Sequence, residues 1–522
     1  MPAWSARVSS TTARQELPVD SIVSVTGGQV RGFEADGVHA FLGIPHAAPA
    51  VGPARFELPR PVVPWTGVRD GSAHGPNCLQ SPYPAPVEAL LPGVRLLGDE
   101  YLNVNVWTPD PAGSGLPVLV WIHGGAFTRG SNAGPVYDGR AFARDGVVLV
   151  SVNYRLGISG FTAVPGAPLN RGLHDQVAAL RWVRENVAAF GGDPDNVTVF
   201  GESAGGMSVL SLLAAPAARG LFRRAAVQSA NGSAAATAED GYRLAARLAQ
   251  QLGIECTAAA FGAVPLERLQ AAQDAIATAM ALDPNPAVWG ESVLEAGGGI
   301  LSFFPVIDGD LLSGRPIDVL TTPGHRTVPL LAGWNRDDFR LFVFPVGRDA
   351  AITADTLPPL LAFCGLTPDL AETYAASRPA AGPADVFAAI MTDRTFTDDV
   401  LRLADHSAAQ GIPQYRYEFR WPTPVARLDA GHAVELPFVF DRLDSLPSLT
   451  GIDPPQPLAG QMHRAWVRFA VDGDPGWSRY DEPDRKVRIF DHPAAGEVSD
   501  PRGAELRALR SSLARRRASA HQ

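Results

Sequence analysis

Cysteine is scarce in this chain, which has only Cys78, Cys256 and Cys364 among 522 residues. An odd and widely spaced set of three does not predict the disulfide framework of a small secreted domain. The sequence contains no Cys-x-x-Cys pair that could hold zinc, so we expect neither a metal nor another cofactor. Because disulfides belong to oxidising compartments, we expect a reducing environment and a cytoplasmic location.

Long apolar runs are also missing. The most apolar stretches, Val118–Ile122 and Val147–Val152, have the length of a strand, whereas a helix needs about 20 apolar residues to cross a bilayer. Residues 1–17 mix charged side chains with Ser and Thr and lack the apolar centre of a signal peptide. We therefore expect no membrane association, and we interpret residues 1–20 as a flexible leader.

Positive charge is limited as well. Lys486 is the only lysine among 44 basic residues, 54 residues are acidic, and the formal net charge is −10. Since nucleic-acid-binding proteins are usually basic, we expect no nucleic-acid partner. The one dense basic run, Arg515–Arg517, lies in the segment 496–522, which we interpret as a solvated, frayed tail.

Apolar runs of strand length alternate with helical patterns over residues 21–495. Short alternating runs separated by Gly-Gly and Asp-Gly predict a hairpin or meander over Ile22–Phe41. Continuous apolar runs are typical of parallel strands covered on both faces. The predicted strands of this kind are Pro117–Ile122, Val147–Val152, Val197–Phe200, Arg224–Gln228 and Val328–Ala332, and Leu102–Trp107 is predicted as a further strand.

Helical segments separate these strands. Val177, Leu180, Val183 and Val187 predict a helix over His174–Phe190. The alternation predicts an α/β fold, with helices on both faces of a large, mostly parallel sheet. The Ala-rich segments 234–300 and 346–410 interrupt the strands, and we expect them to form a helical cap on one domain spanning residues 21–495.

The segment Gly201–Gly205 reads Gly-Glu-Ser-Ala-Gly and directly follows a predicted strand. In a nucleophile elbow, a Ser occupies a sharp strand-to-helix turn that exposes its hydroxyl. The two flanking positions must be small because strand and helix nearly touch, and glycine meets that need. A plain Gly-rich turn has the same letters, but the preceding strand and the following small residues favour Ser203 as a nucleophile.

The segment His123–Phe127 reads His-Gly-Gly-Ala-Phe and follows another predicted strand. A Gly-Gly turn allows backbone N–H groups to face a developing oxyanion, and each such donor contributes roughly 2.7–4 kcal/mol to acyl transfer. A tight turn between strand and loop is the alternative interpretation. His123 belongs to the turn and precedes Ser203, so we expect it to be structural.

A serine nucleophile needs a base and an orienting carboxylate, which in this type of fold follow it in the chain as acid, then histidine. His432 lies between a Pro-rich loop and the apolar run Leu436–Phe440, whereas His463 has the spacing of a helix residue. Asp337 and Asp338 follow a predicted strand at the sheet edge where α/β folds place functional groups, and spacing does not choose between them. The histidines that follow Ser203 are His325, His406, His432, His463, His492 and His521.

Several segments are similar to a known family. Residues 190–205 read FGGDPDNVTVFGESAG, residues 170–176 read NRGLHDQ, and further matches extend from about residue 22 to 490. The sequence thus resembles type-B carboxylesterases, the family of bacterial p-nitrobenzyl esterases and animal cholinesterases. The resemblance implies the α/β-hydrolase fold and the hydrolysis of small-molecule carboxylic esters through an acyl-enzyme.

The resemblance also implies roles for individual residues. Ser203 is the nucleophile, His432 the base and Asp338 the acid, which leaves Asp337 structural. The oxyanion donors are the N–H groups of Gly125, Ala126 and Ala204. Residues expected to support this site or the scaffold are Gly124, Glu202, Ser229 and the ion pair Arg155–Asp175.

The sequence departs from the family in three places. Asp338 stands where the family usually has Glu. Cys78 lacks its usual disulfide partner, because residues 99–102 read Asp-Glu-Tyr-Leu. The loop between them has no Trp to hold a quaternary ammonium by a cation–π contact, so a choline ester is disfavoured.

The sequence therefore predicts a serine esterase for uncharged, partly apolar esters. The same machinery would also suit an amide, a carbamate or a lactone, and the residues do not separate these bonds. A non-catalytic, cholinesterase-like binding module is the alternative from another class, and the intact Ser203, Asp338 and His432 argue against it.

Overall fold

The computed structural model of this chain describes residues 20–425, 427–481 and 483–520. The expected leader, residues 1–20, lies outside the described residues except for Asp20, which begins the first strand. The strands are β1 Asp20–Val25, β2 Gly28–Ala35, β3 Val38–Pro45, β4 Val68–Asp70, β5 Asn103–Thr108, β6 Leu116–Ile122, β7 Val148–Val152, β8 Gly192–Glu202, β9 Arg224–Gln228, β10 Ala236–Thr237, β11 Val306–Ile307, β12 Leu330–Asn335, β13 Gln414–Phe419, β14 Lys486–Phe490 and β15 Gly496–Ser499.

Most of these strands form one large sheet. Its order is β1-β2-β3-β5-β7-β6-β8-β9-β12-β13-β14-β15, with β4 paired to β2. The central strands from β7 to β14 are parallel, and the strands at both margins are antiparallel. This arrangement confirms the predicted fold class and the meander over Ile22–Phe41.

Helices cover both faces of the sheet and form the cap. They are α1 Ala85–Glu88, α2 Arg140–Arg144, α3 Gly157–Phe161, α4 Arg171–Asn186, α5 Ala204–Ala214, α6 Ala238–Leu252, α7 Ala258–Ala263, α8 Leu266–Leu282, α9 Pro286–Trp289, α10 Glu291–Gly297, α11 Pro316–Leu320, α12 Leu357–Phe363, α13 Leu370–Ala376, α14 Pro383–Thr392, α15 Asp398–Ala408, α16 Leu436–Val439, α17 Pro447–Thr450, α18 Gln456–Asp472 and α19 Gly503–Ala520. A π-helical turn, Asp393–Thr397, joins α14 to α15.

The central strands are apolar on both faces because each face supports its own core. Along β6, Val118 and Val120 belong to a core shared with α4 and α5, whereas Leu119 and Trp121 belong to a second core shared with α2 and α18. Successive side chains of a strand point to opposite faces, so only a strand without polar alternation can serve both cores. The predicted strands are confirmed within a few residues at each end.

Strand β13 was missed by this reasoning. It carries Gln414, Arg416 and Glu418, and all three side chains are buried. Their burial is tolerated because they have hydrogen-bond partners: Arg416 donates to Gln414, and Glu418 accepts from Arg420 and Arg502. A rule based on apolar runs cannot recognise a central strand whose polar side chains are paired in the interior.

The C-terminal segment differs from the solvated tail expected for residues 496–522. Strand β15 pairs with β14 at the sheet edge, and α19 buries Leu506 and Leu509 against the core. Arg502, which precedes this helix, is 5% exposed and forms ion pairs with Asp393 and Glu418. The many arginines of this segment suggested a solvated tail. The structure instead has a helix whose first turns are buried on one side and whose start is held by the buried ion pairs of Arg502.

The three cysteines are not joined in disulfides; Cys78 is buried, and the other two are half-buried. Among the described residues, no helix is both long and apolar enough to span a membrane. The same part of the chain contains no group of three or more His, Cys, Asp or Glu side chains arranged to hold a metal ion.

Candidate active site

Ser203 occupies a sharp turn between β8 and α5. Its backbone has φ 55° and ψ −126°, a conformation that side-chain-bearing residues rarely adopt. Such strain persists only where the surrounding structure holds it, and here the Ser203 N–H donates to the carbonyl oxygen of Gln228 on β9 (3.0 Å). The backbone therefore has the shape expected of a nucleophile elbow.

Two glycines make this turn possible. A Cβ atom on Gly205 would lie 2.0 Å from the carbonyl oxygen of Ile122, and one on Gly201 would lie 2.5 Å from the carbonyl carbon of Gly205. No larger residue fits either position without moving the backbone. Because neither glycine has a side chain, the end of β6 can pack against the first turn of α5. The turn that follows β6 therefore lies beside Ser203.

The turn after β6 presents backbone donors next to the serine. Gly125, Ala126 and Phe127 have φ values of 112°, 55° and 59°, and a Cβ atom on Gly124 would lie 3.1 Å from the Cβ of Ser203. The N–H groups of Gly125, Ala126 and Ala204 donate no hydrogen bond to any described residue. These groups are the predicted oxyanion donors, and they remain available to a ligand.

His432 and Asp338 form a close pair in the loops after β13 and β12. His432 Nδ1 lies 2.7 Å from Asp338 Oδ1, so the aspartate reaches the imidazole although it is shorter than the usual Glu. Asp338 is fully buried, and its Oδ2 accepts from the Ser229 hydroxyl and the Asn335 N–H, both at 2.9 Å. These bonds fix the carboxylate, which in turn fixes the imidazole ring.

Asp337 has a different position from its neighbour. Its N–H donates to the carbonyl oxygen of Ala430 at 3.0 Å, and its carboxylate accepts from the Ala430 N–H at 3.3 Å and from Arg336 Nε at 2.9 Å. Ala430 lies two residues before His432. Asp337 therefore joins the loop that carries the aspartates to the loop that carries the histidine, while Asp338 alone contacts the imidazole.

Carboxylates dominate the electrostatics around His432. Glu202 Oε1 lies 3.0 Å from His432 Nε2 without the alignment of a hydrogen bond. Burial by itself lowers the pKa of His432, but the charge of Glu202 and the hydrogen bond from Asp338 outweigh it and raise that pKa above 6.5. Burial also raises the pKa of Glu202, and the nearby Glu435 and Asp338 carboxylates act in the same direction, while His432 opposes them.

Glu435 is a buried carboxyl that the sequence analysis missed. Its two oxygens accept from Gln228 Nε2 (3.1 Å) and Asn335 Nδ2 (2.6 Å), and Asn335 Nδ2 also donates to the carbonyl oxygen of Gly431 (2.7 Å). Burial raises the pKa of Glu435, with a further contribution from Asp338. The available signal was its place directly before the apolar run Leu436–Phe440, where a charged residue needs internal partners.

Aromatic rings enclose the imidazole of His432. Phe342 lies 5.2 Å and Phe396 lies 4.9 Å from it, measured between ring centroids. Phe396 belongs to the π-helical turn 393–397, a local irregularity that frequently occurs at functional sites. Neither ring was identified from sequence, because single phenylalanines carry no motif.

Other residues singled out from sequence lie apart from the reacting groups. Burial lowers the pKa of His123 to about 4, and its Nδ1 is 2.8 Å from the carbonyl oxygen of Gly124. His463 is buried in α18, with Nδ1 2.9 Å from the carbonyl oxygen of Val439. The expected ion pair of Arg155 and Asp175 has an N–O distance of 2.7 Å and is fully buried.

The arrangement is suited to acyl transfer by a serine. A strained turn carries the half-buried serine, an imidazole is held by a carboxylate, and free backbone N–H groups lie beside the serine. His432 Nε2 has no hydrogen-bond partner among the described residues, which leaves this nitrogen for a reacting proton. In enzymes without substrate, the bond between nucleophile and base is often long.

Comparisons with known proteins agree with this chemistry. The sequence profile of the carboxylesterase family matches residues 19–489. The chain is 37% identical over 507 residues to the para-nitrobenzyl esterase of Bacillus subtilis strain 168, which covers 94% of this chain and 98% of that protein. It is 35% identical to the phenmedipham hydrolase of Pseudarthrobacter oxydans, covering 93% and 96% respectively.

Solved structures show the same relationship. The crystal structure of a carboxylesterase from Geobacillus stearothermophilus superposes with a TM-score of 0.80 at 36% identity, covering 94% of this chain and 99% of that one. A thermophilic PNB esterase superposes with a TM-score of 0.80 at 35% identity. Since profile, relatives and structures agree over almost the whole chain, this protein belongs to the carboxylesterase family and hydrolyses ester bonds.

Proposed function

We propose that Ser203 is the nucleophile of this esterase, His432 its general base and Asp338 the acid that orients the imidazole. The proposal is carried by a half-buried serine in a strained turn, whose neighbour Glu202 lies 3.0 Å from the imidazole of a buried His432–Asp338 pair. The two members of that pair are 2.7 Å apart. Gly124, Glu202 and Ser229 support these groups through the contacts described above.

The reaction proceeds in two balanced steps. His432 Nε2 takes the hydroxyl proton as Ser203 Oγ attacks the ester carbonyl, and the N–H groups of Gly125, Ala126 and Ala204 stabilise the oxyanion. The alcohol then leaves with the proton from His432, and an acyl-enzyme remains. Water, deprotonated by the same imidazole, attacks the acyl carbon. Ser203 Oγ then leaves and takes the proton back from His432, and the carboxylic acid is released.

The charges of the site favour an uncharged substrate. The acidic groups with the largest effect on His432 are Glu202, Asp338 and Glu435, and each of them repels an anionic ester when it is ionised. The rings of Phe342 and Phe396 beside the imidazole provide apolar surface for the acyl or alcohol part. We therefore propose neutral, partly apolar esters as substrates.

We also propose a domain organisation and a location. Residues 21–495 form one domain, to which β15 and α19 add the C-terminal segment, as the burial of Leu506 and Leu509 supports. Neither Cys78 nor Cys256 forms a disulfide, which supports a reducing compartment, and we retain the cytoplasmic location as a proposal.

Replacing the nucleophile tests the proposal directly. Ser203→Ala should abolish turnover of p-nitrophenyl butyrate down to a small residual rate, because the acyl-enzyme can no longer form. A fluorophosphonate should label Ser203 and no other residue, as mass spectrometry of the digest would report. Circular dichroism should show that the variant is folded. Substantial activity in the folded variant, or an unreactive wild type that binds esters without cleaving them, would contradict the serine mechanism.

The two adjacent aspartates provide a matched pair of variants. Asp338→Asn should lower kcat by about 10⁴-fold, since the imidazole loses the partner that sets its tautomer and orientation. Asp337→Asn should cost far less, because an amide oxygen can still accept from the Ala430 N–H. Asp338→Glu should be tolerated poorly. The Asp338 carboxylate is already 2.7 Å from His432 Nδ1, so an added methylene would push the carboxylate into the imidazole. A larger loss in Asp337→Asn than in Asp338→Asn would reverse the assignment.

The carboxylates around His432 determine how activity depends on pH. Only the neutral imidazole accepts a proton, and the raised pKa keeps it protonated to higher pH, so kcat/KM should rise with pH through a midpoint above 6.5. Glu202→Gln removes the largest influence that raises this pKa and should shift the midpoint to lower pH. His432→Gln should abolish the rise of kcat/KM with pH together with most of the rate, whereas His463→Gln should preserve both the rise and the rate. An unchanged midpoint in Glu202→Gln would show that its charge does not act on the base.

The negative charge of the site predicts discrimination between esters of similar size. The kcat/KM for p-nitrophenyl butyrate should exceed that for the mono-p-nitrophenyl ester of glutaric acid by about tenfold or more, because the second substrate adds a carboxylate. Added salt should narrow the difference, and Glu202→Gln should narrow it further. Equal kcat/KM values for the two esters at low salt would refute the preference for uncharged substrates.

A further inference from the structure

The segment of residues 77–83 is termed here the clamp loop. It lies against residues 124–130, the turn after β6 that carries oxyanion donors and is termed here the oxyanion turn. Its start is held by Asn77, whose N–H and Nδ2 donate to the carbonyl oxygens of Leu96 (2.8 Å) and Val94 (2.7 Å) and whose Oδ1 accepts from the Leu96 N–H (3.1 Å). Hydrogen bonds therefore close a loop next to Cys78 that has no disulfide.

Gln80 connects the clamp loop to Gly130. The Gly130 N–H donates to Gln80 Oε1 at 2.7 Å, and Gln80 Nε2 donates to the Gly130 carbonyl oxygen at 2.8 Å. One amide side chain thus satisfies both backbone groups of this glycine, as a neighbouring strand would. Gln80 is 7% exposed, so water cannot readily replace either bond.

The backbone of Gly130 packs tightly against the rest of the oxyanion turn. Its φ is 110°, and a Cβ atom on it would lie 2.3 Å from the carbonyl oxygen of Gly124. A Cβ atom on Gly125 would lie 2.3 Å from the carbonyl oxygen of Arg129 and 3.1 Å from the nitrogen of Gly130. The Arg129 N–H also donates to the carbonyl oxygen of Gly125 at 2.9 Å. A displacement of Gly130 must therefore move the peptides of Gly124 and Gly125.

The cap helix α8 holds the clamp loop from the other side. The Ser81 hydroxyl donates to Asp274 of α8 and lies 2.9 Å from the side-chain amide of Gln270. Arg129, within the oxyanion turn, donates to the carbonyl oxygen of Pro82 at 3.1 Å and lies 3.8 Å from Asp274. The clamp loop is thus a bridge between the cap and the oxyanion turn.

We propose that Gln80 is a positioning residue for the esterase reaction, because its amide holds Gly130 and thereby aims the N–H groups of Gly125 and Ala126 at the oxyanion. The proposal rests on the oxyanion donors proposed above. Such donors act only when they are held in place before the reaction, and a misplacement of about 1 Å can cost roughly 100-fold in rate. Gln80 has no contact with His432 or Asp338, so it should not affect the base.

The test compares catalysis with the binding of a transition-state analogue. An aryl trifluoromethyl ketone accepts Ser203 Oγ at its carbonyl carbon, and the resulting hemiketal oxygen occupies the oxyanion position. Gln80→Met keeps the volume of the side chain and removes both bonds to Gly130. It should lower kcat/KM for p-nitrophenyl butyrate roughly 10- to 100-fold and raise the Ki of the ketone by the same factor. The midpoint of the pH profile should stay that of the wild type.

Two further variants keep the result interpretable. Gln410→Met is the matched control, because it removes the hydrogen bond from a side-chain amide to the carbonyl oxygen of His325 (2.8 Å), remote from the oxyanion turn. This variant should leave the Ki of the ketone unchanged even if its melting temperature falls. Gln80→Glu keeps an acceptor for the Gly130 N–H and places a second acceptor against its carbonyl oxygen. If Gln80→Met is unstable, this variant should show the same parallel loss.

The outcomes separate the inference from the proposed function. A wild type that is neither labelled by a fluorophosphonate nor inhibited by the ketone would overturn the serine mechanism itself. An active, inhibitable wild type with an unaltered Ki in Gln80→Met would overturn only the role of Gln80. A fall in kcat/KM without a matching rise in Ki, or an equal loss in Gln410→Met, would likewise leave Gln80 as a structural residue.

Discussion

The close contact between β6, β8 and the first turn of α5 is the constraint on which the site depends. Hydrogen at the Cα of Gly201 and Gly205 allows backbone to approach backbone where any Cβ would lie within 2.5 Å of another atom. The contact forces Ser203 into a positive φ that it would not adopt alone, and the bond from its N–H to Gln228 retains it there. It also places the turn of Gly124–Ala126 beside the serine, because that turn follows β6 directly.

The same sheet edge gathers three buried carboxyl groups around one imidazole. Asp338, Glu202 and Glu435 all lie within reach of His432, and burying carboxylates costs free energy unless each has partners. Ser229, Asn335 and Gln228 provide those partners to Asp338 and Glu435 through neutral hydrogen bonds. Glu202 Oε1 has no such bond and lies 3.0 Å from His432 Nε2. The cost has a use: the charges stabilise the imidazolium that forms during acyl transfer, and they repel anionic ligands.

Much of the fold could be predicted because its central strands are apolar on both faces, a pattern that only a covered parallel sheet satisfies. The failures have a common cause. Strand β13 buries Arg416 and Glu418, and Arg502 is buried directly before α19. Partners distant in sequence meet all three: the carbonyl oxygens of Leu330 and Val400 accept from Arg416, and Arg502 pairs with Glu418 and Asp393. Glu435 and Gln80 were missed for the same reason, since each contacts residues far along the chain. Composition and spacing do not contain such pairings.

The sequence by itself determined the local chemistry: a strand followed by Gly-Glu-Ser-Ala-Gly has few conformations open to it, and Gly-Gly after another strand allows backbone donors to turn inward. It also determined the α/β class, because periodicity is a property of neighbouring residues. Only the tertiary structure decided which adjacent aspartate meets His432. Asp337 and Asp338 differ by only one residue in their spacing from every motif, but their side chains leave the backbone in different directions, one toward Ala430 and the other toward the imidazole. That difference arises from how the loops after β12 and β13 pack together, which no local pattern encodes.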